Sequence, residues 1–139
     1  MKEILDQIPY LQLHELDLIE VEAGTARLGL RERREMTNHV GILHAGALYT
    51  LAETASGVAA QGAVPESVIL LRRGEIHHRR RAQGDVIAAA HCEPDEIDDA
   101  RKDFDSAGRA DLSVKVAGTT SDGTMVFEGE FDYALRPRS

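Results

Sequence analysis

Covalent cross-links are the first thing this sequence lacks. Its 139 residues contain one cysteine, Cys92, which excludes an intramolecular disulfide and a multi-cysteine zinc site alike; Cys92 is expected to serve as a small core hydrophobe. No metal site is expected. No apolar run reaches the length that spans a bilayer, so no membrane role is expected. The first ten residues interleave Lys2, Glu3 and Asp6 with apolar side chains and so lack the unbroken apolar core of a secretory signal. A cytoplasmic location is the resulting expectation. The chain is also short of positive charge: the formal net charge is −8, which disfavours a polyphosphate duplex as partner. Neither an internal repeat nor a low-complexity tract is present.

What remains is the composition of one folded domain. Hydrophobic residues make up 42% and charged residues 29% of the chain, and its length suits a single domain over residues 1–139 with a real core. Residues 2–8 predict a short helix stopped by Pro9. Residues 16–21 predict a strand whose apolar phase slips between Leu18 and Ile19, the mark of a bulge. After a turn at Gly24, Ala26, Leu28 and Leu30 alternate with polar neighbours as a half-buried strand does.

Residues 45–61 form the longest helical pattern, bounded by Gly41 before and by Gly62 and Pro65 after. They are slender and apolar nearly all round, which predicts a helix covered on most sides. Residues 68–78 and 85–92 read as strands joined through a polar turn around Gln83 and Gly84. Residues 94–107 repeat Ile97, Ala100, Phe104 and Ala107 at helical spacing and stop at Gly108. The last two strands place Leu112, Val114 and Val116 on one face, and Met125, Phe127, Phe131 and Tyr133 likewise, on either side of the turn at residues 121–123. The fold class predicted is α+β: about six antiparallel strands, with meander-like connections, around one long buried helix and an extra amphipathic helix.

Glu53 is the only formally charged residue between Glu35 and Glu66. A carboxylate in an apolar helix is costly unless paired or neutral, so either a structural ion pair or a chemical role must account for it. Gly41 and residues 44–46 mark the loop and first turn of the same helix, where unpaired N–H groups and a positive dipole can hold an oxyanion. His44 is there either as a capping residue or as a chemical one. Leu48, Tyr49 and Leu51 either line a pocket or fill the core.

The segment NHVGILHAGALYTLAETASG, residues 38–57, resembles the signature of acyl-CoA thioesterases of the hot-dog superfamily, in the branch that includes the phenylacetic-acid-pathway thioesterase. That signature has Asn, then Gly, then His-Gly-Gly, then Leu-Ala and an acid; here Asn38 stands six residues before His44 and Glu53 nine after it. RRAQGDVIAAA (80–90) and FDYALRP (131–137) are similar to two further strands of that superfamily. The helix at 94–107 is similar to one in a subgroup described as a domain of unknown function. Ala45 replaces the first Gly of His-Gly-Gly, and Glu53 stands where the best-known relatives of the branch carry Asp.

The resemblance implies hydrolysis of an acyl thioester, with coenzyme A as part of the substrate and no cofactor. It implies Glu53 as general base or nucleophile, Asn38 orienting the water or the carboxylate, His44 assisting orientation, and the N–H of Ala45 or Gly46 polarising the carbonyl. Gly41 belongs to the same substrate-binding loop. Residues 72–81 hold five arginines and two histidines; Arg79, Arg80 and Arg81 either meet the nucleotide phosphates or form a solvated turn. A homodimer or homotetramer is implied, since hot-dog relatives pair sheets edge to edge and build sites across the seam. Two other functions are compatible with the fold: a non-catalytic acyl-binding module in which Glu53 is structural, and a dehydratase or hydratase, whose Pro-Gly-His and acid-and-Gln patterns are missing.

Overall fold

The computed structural model describes residues 2–138, with side chains described from residue 4 onward. Six strands form one sheet: β1 (Asp17–Glu22), β2 (Thr25–Leu30), β3 (Ser67–His78), β4 (Val86–His91), β5 (Ala110–Thr120) and β6 (Met125–Pro137). Their spatial order is β1-β2-β4-β5-β6-β3, and every neighbouring pair is antiparallel. Three helices accompany them: α1 (Lys2–Asp6), α2 (Ala45–Ala63) and α3 (Pro94–Ala107). The sheet packs on α2, giving the expected hot-dog arrangement.

The slenderness of α2 is what allows this packing. Ala52, Ala55, Ala59, Ala60 and Ala63 are fully buried, and side chains this small let strands pack close to a helix. The buried hydroxyls on the helix are satisfied locally: Thr54 Oγ1 donates to Thr50 O at 2.6 Å and Ser56 Oγ to Ala52 O at 2.8 Å. Side chains that bond back to their own helix can be buried without an unpaired donor. Against them pack Leu28 and Leu30 from β2, Val114 from β5, and Phe127, Phe131 and Tyr133 from β6, all at most 1% exposed.

The expected bulge is present in β1, where the register slips between Leu18 and Glu20 and Ile19 turns outward. Helix α3 ends on Gly108 in the left-handed region, φ 71°, a C-terminal stop that L side chains rarely adopt. Cys92 is buried, and burial pushes its thiol up to about 12.

Two expectations need correction. The connections are not a simple meander, because β3 does not pair with β4: it lies at the far edge of the sheet, against β6. The chain leaving α2, whose Gly62 lies against Glu22 and Ala23 at the β1–β2 turn, joins the sheet at its opposite edge as β3. It then crosses back through residues 79–85 to place β4 beside β2. The second correction concerns Met125, which is 40% exposed while Val126 is buried. A register shift at Gly118 and Thr119 leaves Val126 as an extra residue in β6, and the face of everything before the bulge is reversed.

Candidate active site

Glu53 sits on the face of α2 that the sheet leaves uncovered. Residues at helical spacing, Tyr49, Glu53, Gly57 and Gln61, form one wall of an apolar cleft of about 660 Å³. The opposite wall comes from the N-terminal segment, through Ile4, Ile8, Tyr10 and Leu11, and β3 adds Ile69 and Leu71. The Tyr10 hydroxyl meets Thr50 Oγ1 at 3.2 Å, which fastens this segment to α2.

Among the described residues, no lysine, arginine or histidine pairs with Glu53. Its partner is neutral: the Tyr133 hydroxyl lies 3.0 Å from Glu53 Oε2 and 3.0 Å from Glu53 O. Burial pushes the Glu53 carboxyl above its ordinary range, and the Tyr133 hydroxyl pulls only part of the way back by favouring the charged form. Burial raises the Tyr133 phenol, and the adjacent carboxylate raises it further, so Tyr133 stays a donor.

At the start of α2, His44 adopts extended backbone, φ −66° and ψ 141°, and its Nδ1 accepts the Gly46 N–H at 2.7 Å. His44 is thus the N-cap, and the Gly46 N–H is already used within the chain. The N–H of Ala45, one residue earlier, has no acceptor among the described residues. Asn38 shapes the preceding loop: its Oδ1 accepts from Val40 N at 2.9 Å and from Ile42 N at 3.3 Å. Gly41 turns that loop at φ 81°, with its N–H bonded to Asn38 O at 3.0 Å.

The residues expected to form one site therefore fall into two places within a chain. Asn38, Ala45, Arg79, Arg80 and Arg81 border a groove of about 320 Å³, whereas Glu53 faces the larger cleft. Glu53 lies eight helical steps after Ala45, about 12 Å. Within the basic stretch, Arg79 Nε donates to Glu128 Oε2 at 3.0 Å, and Arg72 and Arg73 stand 3.3 Å and 3.5 Å from Asp111 and Asp132. Among the described residues Arg80 and Arg81 have no acidic partner, so the cationic character of the groove rests on them. No group of three or more metal-ligating side chains occurs among the described residues.

Sequence reasoning passed over two contributors. Tyr133 was placed on the inward face of β6 but not connected to Glu53; a tyrosine buried in phase with Phe127 and Phe131 needs a hydrogen-bond partner, and that was the available signal. The N-terminal wall gave less warning. Its sign is outward apolar exposure, with Ile8 at 41% and Tyr10 at 64%.

The six-stranded antiparallel sheet packed on α2, which carries a half-buried carboxylate without a cationic partner, is a fold shared with thioesterases. The chain belongs to the family described as domain of unknown function DUF4442, whose model matches residues 2–135. Among solved structures it is similar to the Pseudomonas aeruginosa protein PA5026, described as a probable thioesterase, at 26% identity and TM-score 0.84 over 99% of this chain and 97% of that one. A thioesterase family protein from Silicibacter pomeroyi shares the fold at 17% identity and TM-score 0.81, over 99% and 96% of the two chains. The Staphylococcus aureus thioesterase SAV0944 does so at 17% identity and TM-score 0.78, over 94% and 100%. No protein of curated function matches the sequence. No helix among the described residues is long and apolar enough to cross a membrane.

Proposed function

We propose that the protein hydrolyses acyl thioesters, with coenzyme A as the carrier and Glu53 as the catalytic carboxylate. The observation that carries this reading is Glu53 itself, a largely buried carboxylate with a neutral partner, facing an apolar cleft. A structural ion pair would place a cation beside it. A carboxylate whose affinity for protons is raised by burial is a stronger base for a water attacking the thioester carbonyl, and equally serves as a nucleophile that forms a transient anhydride. In either route the thiolate leaves and water supplies the hydroxyl of the free acid.

The same proposal requires two chains. About 12 Å of helix between Ala45 and Glu53 is too far for one carbonyl to meet both. Strand β3 ends the sheet with twelve residues whose outer backbone edge is unpaired, and it presents Leu70 and Leu71 at 54% and 41% exposure. A long apolar edge is a template for pairing with a second copy. Two chains joined antiparallel along β3 run their α2 helices in opposite senses, so the start of one helix approaches the Glu53 of the other. In that arrangement the Ala45 N–H polarises the carbonyl, Asn38 orients the water, and Arg80 and Arg81 meet the nucleotide phosphates.

The Gly46 N–H already held by His44 favours a second reading, an acyl-binding module without turnover. Free-thiol release from a panel of acyl-CoA esters, wild type against Glu53→Gln, separates the two. Turnover that disappears in the variant is the expected result; no turnover by the wild type refutes the enzyme.

A further inference from the structure

We infer that Gly57 is the specificity-determining residue of the cleft, and that the acyl group it admits is an uncharged aliphatic chain lying along α2 from Glu53 toward Gln61. The inference rests on the acyl-thioester reading above and adds the substrate class to it.

Glycine inside a helix lowers its stability relative to alanine, so a buried glycine in the middle of α2 calls for a reason. Packing supplies one elsewhere in the molecule: a Cβ on Gly74 would overlap the Tyr49 hydroxyl and the Phe131 ring. At Gly57 it does not. A Cβ there would lie 3.4 Å from Ile69 Cδ1, 3.5 Å from Glu53 Oε2 and 3.6 Å from Tyr133 Oη, which are contact distances. The protein alone would tolerate the methyl group. What glycine leaves open is the space between the carboxylate and Ile69, and that space is part of the cleft.

The position matters because it is the next turn of α2 after Glu53, on the same face. Beyond it Ile4, Val58 and Ile69 make the lining apolar, and Gln61 is the last α2 residue to contribute. Gln61 is not free to meet a ligand charge, since its Nε2 donates to Ser67 O at 2.7 Å. Glu53 is the one carboxylate in the lining, and no lysine, arginine or histidine contributes to it, so a charged end on the acyl group would be desolvated without a counterion. From Glu53 to Gln61 the helix advances about 12 Å, enough for a medium-length chain in extended form. An acyl group of two carbons would end before Gly57, so a methyl group there, in contact with Glu53 Oε2, acts on both substrates through the carboxylate but obstructs the acyl path of the longer one alone.

The test compares kcat/KM for octanoyl-CoA with that for acetyl-CoA in the full-length wild type and in Gly57→Ala, alongside melting temperatures. One methylene-sized obstruction in a hydrophobic pocket is worth 10-fold or more in discrimination. The octanoyl-to-acetyl ratio should therefore fall by at least about 10-fold, while the melting temperature rises because the helix gains an alanine. Adding Ile69→Ala, which withdraws the opposite wall, should restore most of the ratio.

The same pair of proteins titrated with octanoate by calorimetry gives a readout independent of turnover: Gly57→Ala should weaken octanoate binding. Hydrolysis with an unchanged ratio in a folded Gly57→Ala overturns this inference and leaves the hydrolase standing. No hydrolysis by the wild type, with octanoate binding that Gly57→Ala weakens, overturns the hydrolase and keeps the cleft assignment. Absence of both hydrolysis and any effect on octanoate binding overturns the two together.

Discussion

Replacing Glu53 by glutamine tests chemistry and electrostatics in one variant, because the two accounts of this residue predict opposite signs for stability. Glutamine keeps the length and the carbonyl oxygen to which the Tyr133 hydroxyl donates. It can neither take a proton from water nor attack a thioester. Loss of a general base costs about 10²–10⁴-fold in kcat, equivalent to about 3–5 kcal/mol on the barrier, and loss of a nucleophile costs at least as much.

Stability should move the other way. Burial raises the Glu53 pKa in the fold above its unfolded value, so its favourable contribution is complete below the unfolded carboxylate pKa and is lost as pH rises through the raised one. Wherever the side chain is ionised, it therefore weighs against folding. Glutamine, neutral throughout, should melt at or above the wild-type temperature at pH 7, and the advantage should shrink as the pH is lowered into the carboxylate range. A broken buried ion pair would instead cost about 3–5 kcal/mol, a fall in Tm on the order of 10 °C for a chain of this size. Steady-state thiol release and calorimetry on one preparation decide the matter. Near-normal kcat in a folded variant, or a fall in Tm of that order, refutes the catalytic assignment.

Tyr133→Phe removes the one donor that favours the charged form of Glu53, so the acid limb of the kcat profile should move to higher pH; an unmoved limb refutes the coupling. Replacing Arg80 and Arg81 together by glutamine should raise KM for acyl-CoA and leave an acyl-N-acetylcysteamine ester unaffected, because phosphate contacts made equally in ground and transition states act on binding alone. Equal effects on both substrates assign the arginines to folding. Light scattering at micromolar concentration should report at least twice the 15.2 kDa of one chain, and a stable monomer would remove the shared site.

The parts of the molecule that were legible in its sequence are those where local pattern and burial agree. The alternation of Ala26, Leu28 and Leu30 located β2, the phase slip at Ile19 located its neighbour's bulge, and Pro94 with Gly108 bracketed α3. The displacement of β3 was not legible, because strand partners are chosen by non-local pairing and residues 68–78 carry the same β-forming composition wherever they lie. Met125 was misplaced for a related reason: an extra residue in β6 follows from its pairing with β5, and the alternation of β6 alone does not reveal it. In the site, Glu53 stood out as a charge without a neighbour, whereas its hydrogen bond to Tyr133 joins residues 80 apart in the chain. Spacing announced a cap at His44, but only the geometry shows that this cap occupies the Gly46 N–H and leaves the Ala45 N–H without an acceptor among the described residues.

The burial that makes α2 a good structural core is, in the proposed hydrolase, also what suits Glu53 to act as a base. A solvated glutamate at neutral pH is a weak base, because water stabilises its charge. On a helix of alanines between a sheet and an apolar cleft that stabilisation is reduced, and the affinity of Glu53 for a proton rises. Unrelieved, the same effect favours the protonated side chain, which cannot act as a base. The Tyr133 hydroxyl sets the balance by donating to one carboxylate oxygen, and it does so from a residue whose own proton is held by burial and by the charge it faces. A lysine or arginine in that place would restore the charge too well, returning a weak base in a paired state. In the proposed hydrolase, a neutral donor favours the charged form without cancelling the effect of burial, the condition under which a carboxylate on a buried helix can take a proton from water.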